Sequence, residues 1–134
     1  MITYALDSDT ISYILKEAPH VLSKVRTELI QRNKLIIPPL VYYEVRRGLL
    51  SVDAPVNTAA FKRFCERIPV GRMNRTTLEE GAQVYASLKT AGNLIGDADI
   101  LIAAFCIIGK YTLVSNNAKH FQRIDGLKLE NWVE

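Results

Sequence analysis

Asp7, Glu44 and Asp99 are the side chains whose placement points to chemistry. Asp7 ends the short apolar run Tyr4-Ala5-Leu6, Glu44 lies early in a helical pattern, and Asp99 opens the stretch Ile100-Leu101-Ile102-Ala103-Ala104-Phe105. Each acid borders sequence that belongs in a core, where a carboxylate is costly without positive compensation. If the three meet, the fitting compensation is a divalent cation with a taste for oxygen ligands, Mg²⁺ or Mn²⁺. Such an ion can activate a water for in-line attack on a phosphodiester and stabilise charge on the phosphate oxygens. Each position also has a plainer reading. Asp7, Ser8 or Asp9 could cap the first helix, and Asp97 or Asp99 could cap a later one. Glu44 could be a solvated helix residue beside Arg47, and Asn117 a turn residue.

The elements that must carry these residues follow from the hydrophobic pattern. Strands are predicted at Thr3–Leu6, Leu35–Ile37, Arg67–Val70, Tyr111–Ser115 and Leu127–Leu129, with helices near 9–17, 19–33, 39–50, 55–65, 76–91, 98–109 and 117–122. Pro38-Pro39 sets one helix start, and Thr76/Glu79 with Thr77/Glu80 are overlapping capping boxes. Strands alternating with helices imply an α/β fold with a parallel sheet of about five strands. In such folds ligands lie beyond the carboxyl ends of the strands, where the strand order reverses. Asp7 directly follows the first strand, and Glu44 lies in the first turns after the second. The helix opened by Asp99 must run antiparallel to the strand it feeds, so its N-terminus reaches the same edge. Asn117 follows the strand at 111–115. All four are therefore expected at one edge.

The 134 residues form one domain, 1–134, long enough for a real core; 49% are hydrophobic and 23% charged, which excludes a disordered chain. No apolar run approaches the roughly 20 residues of a membrane span, and the opening Met1-Ile2-Thr3-Tyr4 lacks a signal peptide's basic start. Cys65 and Cys106 each sit in an apolar pattern without zinc-ligand neighbours, which fits small core residues in a reduced, cytoplasmic setting. The net charge of +3 is too small for a nucleic-acid arm, although basic residues cluster at Arg46-Arg47, Lys62-Arg63 and Lys119-His120.

With these positions fixed, the chain resembles the PIN-domain family, and within it the VapC-type toxin ribonucleases of toxin–antitoxin pairs. Five segments carry the likeness over nearly the whole chain: Tyr4-Ala5-Leu6-Asp7-Ser8-Asp9-Thr10-Ile11; Pro39-Leu40-Val41-Tyr42-Tyr43-Glu44-Val45; Asp97-Ala98-Asp99-Ile100-Leu101-Ile102-Ala103-Ala104; Leu113-Val114-Ser115-Asn116-Asn117-Ala118-Lys119-His120-Phe121; and Gly126-Leu127-Lys128-Leu129-Glu130-Asn131-Trp132. The resemblance implies a three-layer α/β/α sandwich, a Mg²⁺ or Mn²⁺ cofactor and cleavage of RNA loops, with transfer RNA favoured over ribosomal RNA. It also implies a homodimer and a small VapB-type antitoxin that covers the acidic groove. By the same resemblance Asp7 and Asp99 are the principal metal ligands, and Glu44 a supporting ligand or water-positioning base. Asp97, Asn117, Asp9 and Ser115 stand next to them, and Arg46, Arg47 and Lys119 are candidate RNA contacts whose plainer reading is a solvated surface charge. Asp9 replaces the family's usual Asn, and Asn117 stands where many members carry a fourth acid.

Two other readings compete. Asp7-Ser8-Asp9 after a strand also resembles the nucleophile motif of haloacid-dehalogenase-like phosphohydrolases, but Ile11 and the lack of an acid four residues after Asp97 fit that pattern poorly. A non-catalytic module could instead use the acids to hold a basic partner peptide.

Overall fold

The computed structural model describes residues 1–133. Four parallel strands form its sheet: β1 (Thr3–Leu6), β2 (Lys34–Ile36), β3 (Thr112–Val114) and β4 (Lys128–Glu130), in the order β2-β1-β3-β4. From β1 the chain steps outward to β2 and then returns past β1 to β3. The order therefore reverses between β1 and β3, and right-handed crossovers place the two connections on opposite faces. The central position explains the composition of both strands. Ala5, Leu6, Leu113 and Val114 are fully buried, whereas Lys34 and Lys128 mark the edges.

Among the described residues seven helices flank the sheet: α1 (Ser8–Leu15), α2 (Pro19–Ile30), α3 (Pro39–Leu50), α4 (Pro55–Arg67), α5 (Arg75–Thr90), α6 (Asp97–Gly109) and α7 (Ala118–Phe121). Proline opens α2, α3 and α4, where its missing N–H is not needed. Helix α6 is apolar almost all round, so it is enclosed, with Ile100, Ile102, Ala103, Ala104, Phe105 and Cys106 buried. It packs against α5, α3, α7 and β3. Gly81 allows a close approach at the α5 contact: a Cβ there would lie 3.0 Å from Leu101 Cδ2, and that side chain would have to give by a few tenths of an ångström. Helix α6 stops at Lys110, whose left-handed backbone (φ 58°) ends the helical ladder.

The fifth predicted strand, Arg67–Val70, is not formed. Helix α4 runs on to Arg67, and only Val70 bridges the sheet, opposite Ile37. Pro69 has no N–H to extend a ladder; its carbonyl accepts from Ile37 N, Gly71 N donates back to Ile37 O, and the pairing ends there. The capping boxes are not formed either. Asn74 is the N-cap of α5 and accepts from Thr77 N at 3.1 Å, two residues before Thr76 and three before Thr77. Neither cysteine is in a disulfide, and Cys106 is fully buried. Among the described residues no helix is long and apolar enough to cross a membrane.

Candidate active site

Strand order brings the carboxyl ends of β1 and β3 side by side, and Asp7 sits at that junction. Its backbone N–H donates to Val114 O at 2.9 Å, one step beyond the β1–β3 register. Its extended backbone then makes it the N-cap of α1, with Oδ1 accepting from Ser8 N at 2.8 Å. The plain capping reading of Asp7 therefore holds, but it uses one oxygen only. Oδ2 accepts from Ser115 Oγ at 2.7 Å, and the carboxylate is buried. Burial pushes its pKa up to about 6; the Ser115 hydroxyl opposes this, the Asp9 charge adds to it, Ser8 N opposes it and Glu44 adds to it.

Asp9 ties the first turn of α1 to the turn after β3. Its Oδ2 accepts from Asn116 N at 3.0 Å, while Thr10 Oγ1 lies 3.2 Å from both Asp9 Oδ1 and Val114 O. Thr10, fully buried, is an addition to the expected residues; its place four residues before Ile14, on the apolar side of α1, was the signal the sequence offered.

Glu44 lies in the second turn of α3, whose start is fixed by Pro38 and Pro39 after β2. Its Oε1 is buried and has no hydrogen-bond partner. Burial raises the pKa of this carboxyl, the charge of Asp99 raises it further, Arg47 lowers it and Asp9 raises it. Arg47 is held over the Tyr43 ring, 5.2 Å from its centroid. A cavity of about 210 Å³ opens beside Glu44, between Ser8 and Ser12 of α1 and Val45 and Leu49 of α3.

Gly96 is the N-cap residue of α6, so neither Asp97 nor Asp99 has the capping role. Asp99, in the first turn, instead places Oδ2 2.9 Å from His120 Nδ1. The Asn117 side-chain nitrogen lies 3.0 Å from the same ring nitrogen, and Asn117 N donates to Ser115 Oγ at 3.0 Å. His120 stood in the sequence only as part of a basic cluster; its position three residues after Asn117, at the end of one helical turn, was the signal for a role here. Asp97 is exposed and lines a cleft with Tyr85 and Leu101 on the α5 side, outside the charges that act on Asp7 and Glu44. Lys119 is exposed on α7. Arg46 faces away from Glu44, into a cavity of about 280 Å³ shared with Tyr42, Phe61 and Lys62.

Asp7, Asp9, Glu44 and Asp99 thus form one field of negative charge, linked through Glu44. Among the described residues no three His, Cys, Asp or Glu side chains converge as a ready chelate. The donors nonetheless fit a hard cation. They are carboxylate oxygens, two of them have raised pKa values, and Glu44 presents a buried acceptor with nothing to accept from. Mg²⁺ and Mn²⁺ suit a loose set of this kind, because Mg²⁺ keeps much of its water when few carboxylates bind it.

Comparison with known proteins gives concordant results. The family model described as "PIN domain" matches residues 4–127. "Ribonuclease VapC2" of Haemophilus influenzae is 30% identical over 135 residues, covering 99% of this chain and 100% of the relative. The "tRNA(fMet)-specific endonuclease VapC" of Shigella flexneri is 26% identical over 134 residues, covering 98% and 99%. Among solved structures, VapBC2 of Rickettsia felis bound to a DNA fragment of its promoter contains a chain that superposes with a TM-score of 0.89. That chain is 27% identical, with 98% of this chain and 99% of that one covered. VapBC-1 of nontypeable Haemophilus influenzae gives 0.88 at 25% identity, with 99% and 100% covered.

Proposed function

The chain belongs to the PIN-domain family, and from that premise we propose that it is a divalent-metal-dependent endoribonuclease, the toxin of a VapBC-type pair. The ribonuclease names of its relatives support the reaction class, and the VapBC complexes among its structural neighbours support a VapB-type antitoxin as partner. The Shigella relative supports transfer RNA as the substrate class. One observation carries the metal dependence: the buried, unpartnered Glu44 Oε1, on a carboxyl whose pKa is raised by burial and then by the charges of Asp99 and Asp9.

Asp7, Asp99 and Glu44 are the residues that would hold the ion. When bound, Mg²⁺ or Mn²⁺ supplies an activated water and charge stabilisation at the scissile phosphate. The remaining work belongs to the chain. Ser115 and Ser8 fix both oxygens of Asp7 and keep it on the edge of the sheet. Asp9, by accepting from Asn116 N, ties the start of α1 to the turn after β3 and so keeps Asp7 beside Ser115. Glu44, held nearer neutrality than an ordinary glutamate, is suited to accept the proton of an attacking water. Arg46 and Lys62, beside Tyr42, offer cations and a ring face to an RNA strand. The cavity between α1 and α3 runs up to Glu44 and suits an antitoxin segment that blocks the acids.

The test is cleavage of a transfer-RNA pool by the purified chain with Mn²⁺ and with EDTA, alongside Asp99→Asn. Cleavage lost in EDTA and in the variant is the expected result. Equal cleavage under all three conditions would overturn the reading.

A further inference from the structure

The turn after β3 delivers one side chain that the chemistry above does not use. His120 brings Nδ1 to 2.9 Å from Asp99 Oδ2 and to 3.0 Å from the Asn117 side-chain amide. A carboxylate oxygen at that distance is favourable only opposite a proton, so Nδ1 is the ring nitrogen that carries one. A protonated nitrogen cannot also accept from an amide N–H, so the Asn117 amide must turn its oxygen to the ring; amide N and O are interchangeable in such geometry. Asn117 is itself held by its N–H on Ser115 Oγ, and Ser115 Oγ donates to Asp7 Oδ2. Asp99, His120, Asn117, Ser115 and Asp7 therefore form one continuous hydrogen-bonded chain across the site.

The fold does not need the imidazole. Helix α7 is a single turn anchored by Phe121, which is buried, whereas the His120 side chain is 44% exposed. Resting on the reading of Asp99 as a metal ligand, we infer that His120 is a positioning residue: its Nδ1–H commits Asp99 Oδ2 to the ring and so sets which oxygen a cation meets. Partners that orient ligands in this way are worth about 10–100-fold in metal affinity or activity when removed.

Mn²⁺ alone is the probe, with free ion followed by electron paramagnetic resonance on the whole chain. His120→Phe keeps the ring shape and removes Nδ1; His120→Asn returns a side-chain N–H near the Nδ1 position. Mn²⁺ affinity is expected to fall about tenfold in His120→Phe and to stay within about threefold of wild type in His120→Asn, with kcat for RNA cleavage following the same order. Wild-type Mn²⁺ affinity in His120→Phe, with or without a raised KM for RNA, overturns the inference. So does an Asn variant as impaired as the Phe variant. Asp99→Asn separates the two levels. If it loses Mn²⁺ while His120→Phe does not, only the positioning role falls; if it binds like wild type, the metal reading falls and takes this inference with it.

Discussion

The Ser115 hydroxyl donates to the Asp7 carboxylate at 2.7 Å across the boundary between β1 and β3, joining residues 108 positions apart in sequence. The contact lies where strand order reverses, so it links the fold's topology to the chemistry of the site. It also opposes the burial that raises the Asp7 pKa. Ser115→Ala should therefore move that pKa further up and leave Asp7 Oδ2 without its donor. Hydrogen bonds to charged groups contribute about 1.5–3 kcal/mol, so RNA cleavage near neutral pH should drop at least tenfold. Carbon-13 titration of Asp7 in metal-free protein checks the direction; an unchanged or lower pKa refutes it.

Asp7 makes the metal-free fold sensitive to pH. Its folded pKa of about 6 lies above the usual 3.8, so the folded chain holds this proton more tightly than the unfolded chain does. Stability contributed by the protonated form is complete below about pH 4 and is lost as pH rises through 6. A shift of that size corresponds to roughly 3 kcal/mol at most. Asp7→Asn, which is neutral throughout, should thus be more stable than wild type at pH 7 in EDTA, and the advantage should vanish near pH 4. Urea denaturation at the two pH values measures this, and an advantage equal at both would contradict it.

Divalent cations should reverse the penalty. If carboxylate repulsion is what the ion relieves, Mn²⁺ in large excess over its dissociation constant stabilises the fold by about 2.7 kcal/mol at a hundredfold excess. Thermal denaturation should show a clear rise in Tm for wild type and little or none for Asp99→Asn. Glu44→Gln should fall between, since it keeps an oxygen where Glu44 Oε1 lies without a partner but removes the charge. Equal shifts in all three proteins would place the ion elsewhere.

Much of this molecule was legible in its sequence because its signals are local. The alternation of apolar runs and Pro-led helices yields the four strands and seven helices of the described residues, and the position of each acid relative to its element yields the shared edge. What was misread depends on partners distant in sequence. Arg67–Val70 has strand-like residues, but Pro69 limits it to a single bridge beside Ile37. Thr76 and Thr77 carry the capping-box spacing, yet Asn74 captures Thr77 N first. Asp97 shares a helix turn with Asp99, but helical rotation sends it to the α5 side. His120 could not be placed at Asp99 from spacing, because the contact requires α6 and the β3–α7 turn to be docked.

Arg46 and Lys62 should govern RNA binding without touching the metal. They come from α3 and α4 and line one cavity with Tyr42 and Phe61, on the side of α3 away from Glu44. Each phosphate contact on a single strand contributes a salt slope of about −0.7, so losing one cation should flatten the slope by about that amount. Arg46→Ala and Lys62→Ala should each raise KM for RNA several-fold and flatten the salt dependence, with Mn²⁺ affinity and kcat near wild type. Tyr42→Ala should raise KM without changing the slope, because stacking on a ring releases no counterions. Fluorescence anisotropy with a labelled RNA stem–loop over a range of salt distinguishes the two. If the arginine and lysine variants keep the full slope, the strand runs elsewhere, and the exposed Lys119 on α7 becomes the next cation to remove.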